Sequence, residues 1–252
     1  MHDVTLITEW GTIPLDGREV GLRSWPDFFD GGSANLAWDQ HSGAFREVLP
    51  SGVQTGELEL VVKPRKDVGP TVANILDSLR WGEDGFIIQV DSRSACSRQL
   101  NVRMVETGGI TWHPEPRHAV MAEVPLRVEY GDAWLGDEGT RVVKNYNGIV
   151  TVPYAGDLPV WPTITIDGTA QVSFSDEDEK LALPRGKYTV LTDPATRGVF
   201  LPDGTPYVSG VVPFWPNPPK LKAGGFELFI NVVGAKNSVT VDFQERFTKA
   251  WD

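Results

Sequence analysis

Apolar and polar residues alternate with a period of two along much of the chain, the spacing of strands that bury one face and wet the other. In the first half the alternation runs through Leu58-Leu60-Val62, Phe86-Ile88-Val90, Leu100-Val102-Met104 and Val120-Ala122-Val124-Leu126-Val128-Tyr130. It returns at Val172-Phe174, Phe226-Leu228-Ile230-Val232 and Val239-Val241-Phe243. The predicted class is mainly β. Asp16-Gly17, Asp30-Gly31, Asp84-Gly85, Asp167-Gly168 and Asp203-Gly204 predict tight turns, because these residues tolerate positive φ. Gly234 to Ser238, between two alternating runs, reads as a hairpin with a longer loop.

One segment departs from this pattern. Pro70 suits a first helical position, Val72, Ile75, Leu76 and Leu79 follow helical spacing, and Gly82 can end the run. A helix is predicted there, its apolar stripe covering a sheet; the polar face, Asn74, Asp77, Ser78 and Arg80, carries no ligand pattern. Between Leu135 and Gly148 the chain turns polar, which places a domain boundary there. The first domain is then a sheet system with one helix, and the remainder fits a β-sandwich of short strands.

Composition supports a packed interior and narrows the partners. The 252 residues leave room for two modest cores, and 9 Trp with 11 Phe supply the apolar bulk. A net charge of −11 gives no general field for phosphate backbones, so nucleic acid is not expected as a direct partner. The densest acidic run, Asp176 to Glu179, reads as a solvated loop: the places where a calcium loop needs Gly and Glu hold Leu181 and Lys187. Cys96 stands alone, which rules out an internal disulfide and leaves a plain core or surface thiol. The N-terminus lacks a basic leader with a long apolar run, and no stretch reaches membrane-spanning length, so neither a signal peptide nor a membrane anchor is read.

The search for catalytic patterns returns little. The serine-hydrolase elbow, the H-E-x-x-H zinc motif, the Walker A loop and the dinucleotide fingerprint are missing. Of the four histidines, His113 and His118 are near neighbours, and with Glu115 they offer a zinc reading. Pro114 and Pro116 favour an extended surface loop in which those side chains diverge. A hydrolase of cell-wall glycan would need paired carboxylates across a cleft; Asp132, Asp137 and Glu138 are available, but nothing in the sequence positions them. No catalytic residue, metal or cofactor is predicted. The aromatic residues say more. Trp161 beside Pro162, and Trp215 within Phe214-Trp215-Pro216, place stiff apolar groups in loops, where they stack on sugars, fill a neighbour's pocket or cap their own core. Trp25, Phe28 and Phe29 form a second cluster in a Pro/Gly-rich loop, with an interfacial and a core reading.

The second half carries an ordered set of features. Asn145-Tyr146-Asn147-Gly148 is followed by Pro162-x-Ile164-x-Ile166-x-Gly168, then by Asp193 to Val199 ahead of Asp203-Gly204, and by Phe243 to Trp251. This order resembles the C-terminal domain of siphovirus distal tail proteins, with a close similar to that of actinobacterial-phage minor tail proteins. Residues 1–140 resemble the family's N-terminal belt domain in the order of their elements. The resemblance implies a mainly β fold: an N-terminal belt-like, ring-forming domain with one helix at 1–140, and a C-terminal galectin-like β-sandwich at 141–252. It implies a structural protein of the virion, sited at the bacteriophage tail tip and forming a ring, commonly hexameric. That ring would join the tail tube and tape measure to the baseplate or receptor-binding apparatus. The interface residues expected on this reading are Trp25, Phe28, Phe29, Trp161 and Trp215. The alternative is a two-domain carbohydrate-binding protein with Trp161 and Trp215 as stacking platforms.

Overall fold

The computed structural model describes residues 3–30, 35–39, 44–48, 53–65, 67–80, 85–92, 97–174, 180–193, 195–207, 215 and 218–251, with side chains left out at 35–39 and 44–48. Cys96, Gly31, Gly82, Asp84 and the run Asp176 to Glu179 lie outside the described residues. The chain is mostly strand, with one α-helix among the described residues. It divides into two compact units, one comprising Met1–Leu135 with Phe247–Asp252, the other Gly136–Arg246.

In the first unit the strands are β1 (Asp3–Thr8), β2 (Gly11–Pro14), β3 (Val20–Leu22), β4 (Asn35–Asp39), β5 (Ala44–Val48), β6 (Gln54–Val62), β7 (Phe86–Asp91), β8 (Ser97–Thr107), β9 (Thr111–His113) and β10 (Met121–Tyr130). Their antiparallel order is β2-β1-β7-β8-β10-β6-β3, while β4 and β5 form a separate hairpin. Along β10 the partner changes: β9 pairs with Met121–Glu123, and β8 takes over from Leu126. Pro125 sits in the gap between those ladders, where its missing N–H is not required. Trp112 and His113, expected in an extended loop, thus belong to the short strand Thr111–His113 held by β10.

The helix α1 spans Val68–Arg80, so Pro70 is its third residue instead of its first. The first-turn N–H groups have no acceptor within the helix, which is why proline is tolerated there. The first intrahelical bond runs from the Thr71 N–H to the Asp67 carbonyl at 3.1 Å. Val68, Val72, Ile75, Leu76 and Leu79 are buried in the same core as Leu58, Leu60, Leu100, Val124 and Leu126 of the sheet. Each such side chain contributes about 1.5–3 kcal/mol when fully removed from water.

The second unit is built from β11 (Trp134–Lys144), β12 (Tyr146–Pro153), β13 (Thr163–Phe174), β14 (Leu181–Leu191), β15 (Gly198–Phe200), β16 (Leu221–Lys222), β17 (Gly225–Val232) and β18 (Ser238–Phe247). The polar stretch from Leu135 to Gly148, where the domain boundary was expected, is strand on either side of Asn145. Its polarity marks an outward face.

The long strand β13 organises this unit. One side pairs with β14 from Thr163↔Leu191 to Val172↔Leu181. The other pairs with β18 through Thr163 to Asp167, then with β17 through Ala170 to Phe174. β17 and β18 therefore lie end to end along β13 and are not paired with each other, which corrects the hairpin expected at Gly234 to Ser238. Asp167-Gly168 is likewise no turn, since Gly168 lies inside β13 at the point where its partner changes. Its φ is +111°, and a Cβ there would meet Asn237 Oδ1 at 2.2 Å, so a side chain is excluded by both conformation and space.

A seam crosses the sheet at this level. Gly168 pairs with Gly186, next to a register shift between the two strands. Asn145, at φ +47°, separates β11 from β12, and its Oδ1 accepts from the Gly234 N–H at 3.4 Å. Residues from both sides of the seam, such as Ile164, Ile166 and Val241 on one and Val172, Phe174 and Ile230 on the other, share one core. The sheet has folded over on itself. The parity of buried positions records this bend: it changes from Leu181 and Leu183 to Tyr188 and Val190 along β14, as an extra residue in one strand requires.

Candidate assembly surfaces

In the first unit, the segment Asp27–Asp30 forms one 3-10 turn that carries Phe28 and Phe29 inward. Phe29 is fully buried, with its ring 5.1 Å from Trp134 and 5.2 Å from Phe28. Phe28 stacks on Tyr130 at 4.6 Å, and the Trp134 indole N–H donates to the Phe28 carbonyl at 3.2 Å. Burial, with a smaller contribution from Asp27, pushes the Tyr130 phenol above its ordinary pKa. These contacts commit Phe28 and Phe29 to the core of their own unit.

Trp25 is placed differently. Its ring stands 5.8 Å from Phe29 and 5.3 Å from Trp251, yet it is 51% exposed, so the cluster presents one aromatic face to solvent. The far end of the chain completes the support. Phe247 and Ala250 are buried, the Ala250 N–H donates to the Phe29 carbonyl at 2.9 Å, and Trp251 packs on Phe29. Arg98, buried to 4% exposure, lies 3.7 Å over the Phe247 ring and donates to the Lys249 carbonyl at 2.9 Å. A buried guanidinium requires such partners, and here they are a π face and a backbone acceptor.

A second exposed aromatic escaped the sequence reading. Trp10 is 72% exposed at the tip of the β1–β2 hairpin, where its backbone N–H donates to Thr8 Oγ1 at 3.3 Å. The signal was present as a tryptophan followed by Gly11 between two alternating stretches. On the solvent side of the same sheet, Arg23 donates to Glu59 at 2.6 Å and to Glu123 at 2.9 Å. The Glu59 hydrogen bond, then the Glu123 charge, raise the arginine's pKa further. His113 lies 3.5 Å from Glu123 whereas His118 lies 3.7 Å from Glu115, so the two histidines of the zinc reading face different carboxylates. Among the described residues no three metal-ligating side chains converge.

The second unit separates the two expected sugar platforms. Trp215 is 5% exposed and packs on Phe174 at 4.6 Å, so its ring faces are occupied by the unit's own core. Trp161 is half-buried and lines a shallow cleft with Glu138, Thr140, Asp242 and Gln244. Within it Thr140 Oγ1 donates to Asp242 at 2.7 Å. Asp137 and Glu138 are exposed on β11, and Asp132 lies in the first unit. Another cleft is lined by Arg141, Val142, Lys144, Tyr146, Ile149 and Thr151. Three of these are large apolar residues left outside: Val142 at 51%, Tyr146 at 42% and Ile149 at 53%. No helix among the described residues is long and apolar enough to cross a membrane.

No family model and no curated protein matches the chain by sequence. By structure it is similar to the crystal structure of the SPP1 Dit protein, described as "a paradigm of hub adsorption apparatus in Gram-positive infecting phages". The likeness has a TM-score of 0.60 at 15% identity, and it covers 97% of this chain and 99% of the SPP1 protein. The chain is mainly β, with a fold like that of the SPP1 Dit protein.

Proposed function

We propose that this protein is a non-enzymatic structural component of a bacteriophage tail tip. Copies of it form a ring, hexameric by the sequence resemblance, that links the tail tube to the baseplate or receptor-binding apparatus. The observation that carries this reading is the end-to-end likeness to a phage hub protein, which spans both units and not one module alone. Fold by itself does not transmit function. Its agreement with a resemblance found independently in the order of sequence motifs is what gives the reading its weight. On this reading the N-terminal domain, residues 1–140, supplies the ring contacts, and the C-terminal, galectin-like domain projects outward.

A closed ring needs two different complementary surfaces on each copy. Trp25 fits one of them, because it is half exposed while its aromatic neighbours hold it from behind. A rigid, supported tryptophan is the residue type that dominates interface energetics. The test is size-exclusion chromatography with light scattering on the purified protein. Wild type is expected to run as a ring and Trp25→Ala as a folded monomer with unchanged circular dichroism. Assembly of Trp25→Ala at wild-type strength removes this residue from the interface, and a wild type that stays monomeric beside its tail partners defeats the ring reading.

A further inference from the structure

Strand β12 lies in the second unit, apart from the Trp25 surface assigned above to the ring. Among the described residues it has a ladder on one side only, to β17 from Tyr146↔Val232 to Pro153↔Gly225. An open strand edge is a template for another chain, and proteins blunt such edges with charged residues, short strands or bulges. The outer strands β2, β3 and β15 are four, three and three residues long. β12 has eight residues, Tyr-Asn-Gly-Ile-Val-Thr-Val-Pro, none of them charged. It has none of those devices, and only its terminal Pro153 interrupts the edge by lacking an N–H.

Three further observations describe what would fit there. Val142, Tyr146 and Ile149, the exposed apolar residues of the cleft, fall within eight positions of sequence. Two cations, Arg141 and Lys144, line the same cleft, and neither has a carboxylate partner among the described residues, in a chain with 34 acidic and 23 basic side chains. The Tyr146 hydroxyl donates to the Ile149 carbonyl at 2.9 Å, so a backbone acceptor of this strand is satisfied by a side chain that can rotate away. Apolar exposure, unpaired positive charge and a one-sided ladder coincide.

We propose that the β12 edge and its cleft bind an extended segment of another polypeptide, one that alternates apolar with acidic residues and adds to β12 as a strand. Main-chain hydrogen bonds would supply affinity. Ile149 and Val142 would take the apolar side chains, and Arg141 with Lys144 the carboxylates. A segment of alternating apolar and basic residues would meet those two cations and be rejected.

The test uses the full chain and two fluorescent nonapeptides, one alternating valine with glutamate and one valine with lysine, each flanked by glycines. Anisotropy titration is paired with hydrogen exchange at residues 146–153. The glutamate peptide is expected to bind saturably and to slow exchange there, and the lysine peptide to bind at least about tenfold more weakly. Ile149→Lys, and separately Arg141→Glu with Lys144→Glu, are expected to lose about tenfold or more in affinity for the glutamate peptide while keeping the wild-type circular dichroism. Equal binding of the two peptides, no saturable binding, or binding indifferent to Ile149→Lys would overturn the proposal. So would concentration-dependent protection of β12 without peptide, because the occupant would then be a second copy of this chain. The ring is read from the Trp25→Ala variant, so these outcomes leave that reading standing or falling on its own.

Discussion

The two units bury similar chemistry by opposite means. In the first, a sheet is covered from outside by α1 and by an aromatic cluster assembled from Asp27–Asp30, Trp134 and the last residues of the chain. In the second, the sheet covers itself by bending along the seam at Asn145, Gly168, Gly186 and Gly234. The first solution depends on bulk at a few positions, the second on the lack of side chains at a few others. A cover built from separate segments also leaves a rim, and Trp25 lies on it.

The largest effect expected from breaking this contrast is at Phe29. Phe29→Ala removes the ring that touches Trp25, Phe28, Trp134 and Trp251, and should cost about 3–5 kcal/mol in chemical denaturation. Hydrogen exchange should show the loss in the first unit with the second protected as before. If both units loosen together, they do not stabilise themselves separately. Gly168→Ala is the reciprocal experiment. It forces a side chain into positive φ against Asn237, and should cost roughly 1–3 kcal/mol from backbone strain alone, confined to the second unit. A neutral result would mean that the seam tolerates bulk, and the contrast between the units would fail.

The smallest effect concerns Tyr154, whose hydroxyl donates to the Leu158 carbonyl at 2.7 Å and accepts from the Arg246 N–H at 3.0 Å. Burial is the main cause that pushes its pKa up to about 12 from an ordinary value of 10.0, so the folded protein favours the neutral phenol. The stabilisation is whole below pH 10 and is lost as pH rises through about 12, because the unfolded phenol ionises first. Tyr154→Phe should cost about 0.5–1.5 kcal/mol at neutral pH and flatten the decline between those values. An unchanged alkaline slope would show that Tyr154 is not its source.

The parts of this architecture that are periodic were legible in the sequence. The helix announced itself through Val72, Ile75, Leu76 and Leu79, and the β13 motif through Ile164 and Ile166, because one face of each element is buried by its own unit. What failed was pairing. Gly168 looks like a turn residue, and Gly234, which does sit in a turn, looks like the turn of a hairpin; only the long-range partners of β13 show that the first is inside a strand and that the strands flanking the second do not pair. Among the expected interface residues, spacing could not separate Trp25 from Phe28 and Phe29, since exposure is decided by Tyr130, Trp134 and Trp251, which are distant in sequence. Trp215 does lie outside any strand, but its sequence neighbours could not decide between a platform and a core residue for the same reason: Phe174, on which it packs, is far along the chain. The β12 edge was invisible, because an open edge is defined by a strand that is not there.

The return of Phe247–Asp252 to the first unit makes the second unit an insertion, tethered at both Leu135 and Arg246. On a ribosome, the support behind Trp25 is therefore incomplete until Ala250 and Trp251 emerge, after every residue of the inserted unit has been made. A chain cut short before Ala250 keeps Phe29 beneath Trp25 but lacks both the hydrogen bond from Ala250 to the Phe29 carbonyl and the Trp251 ring.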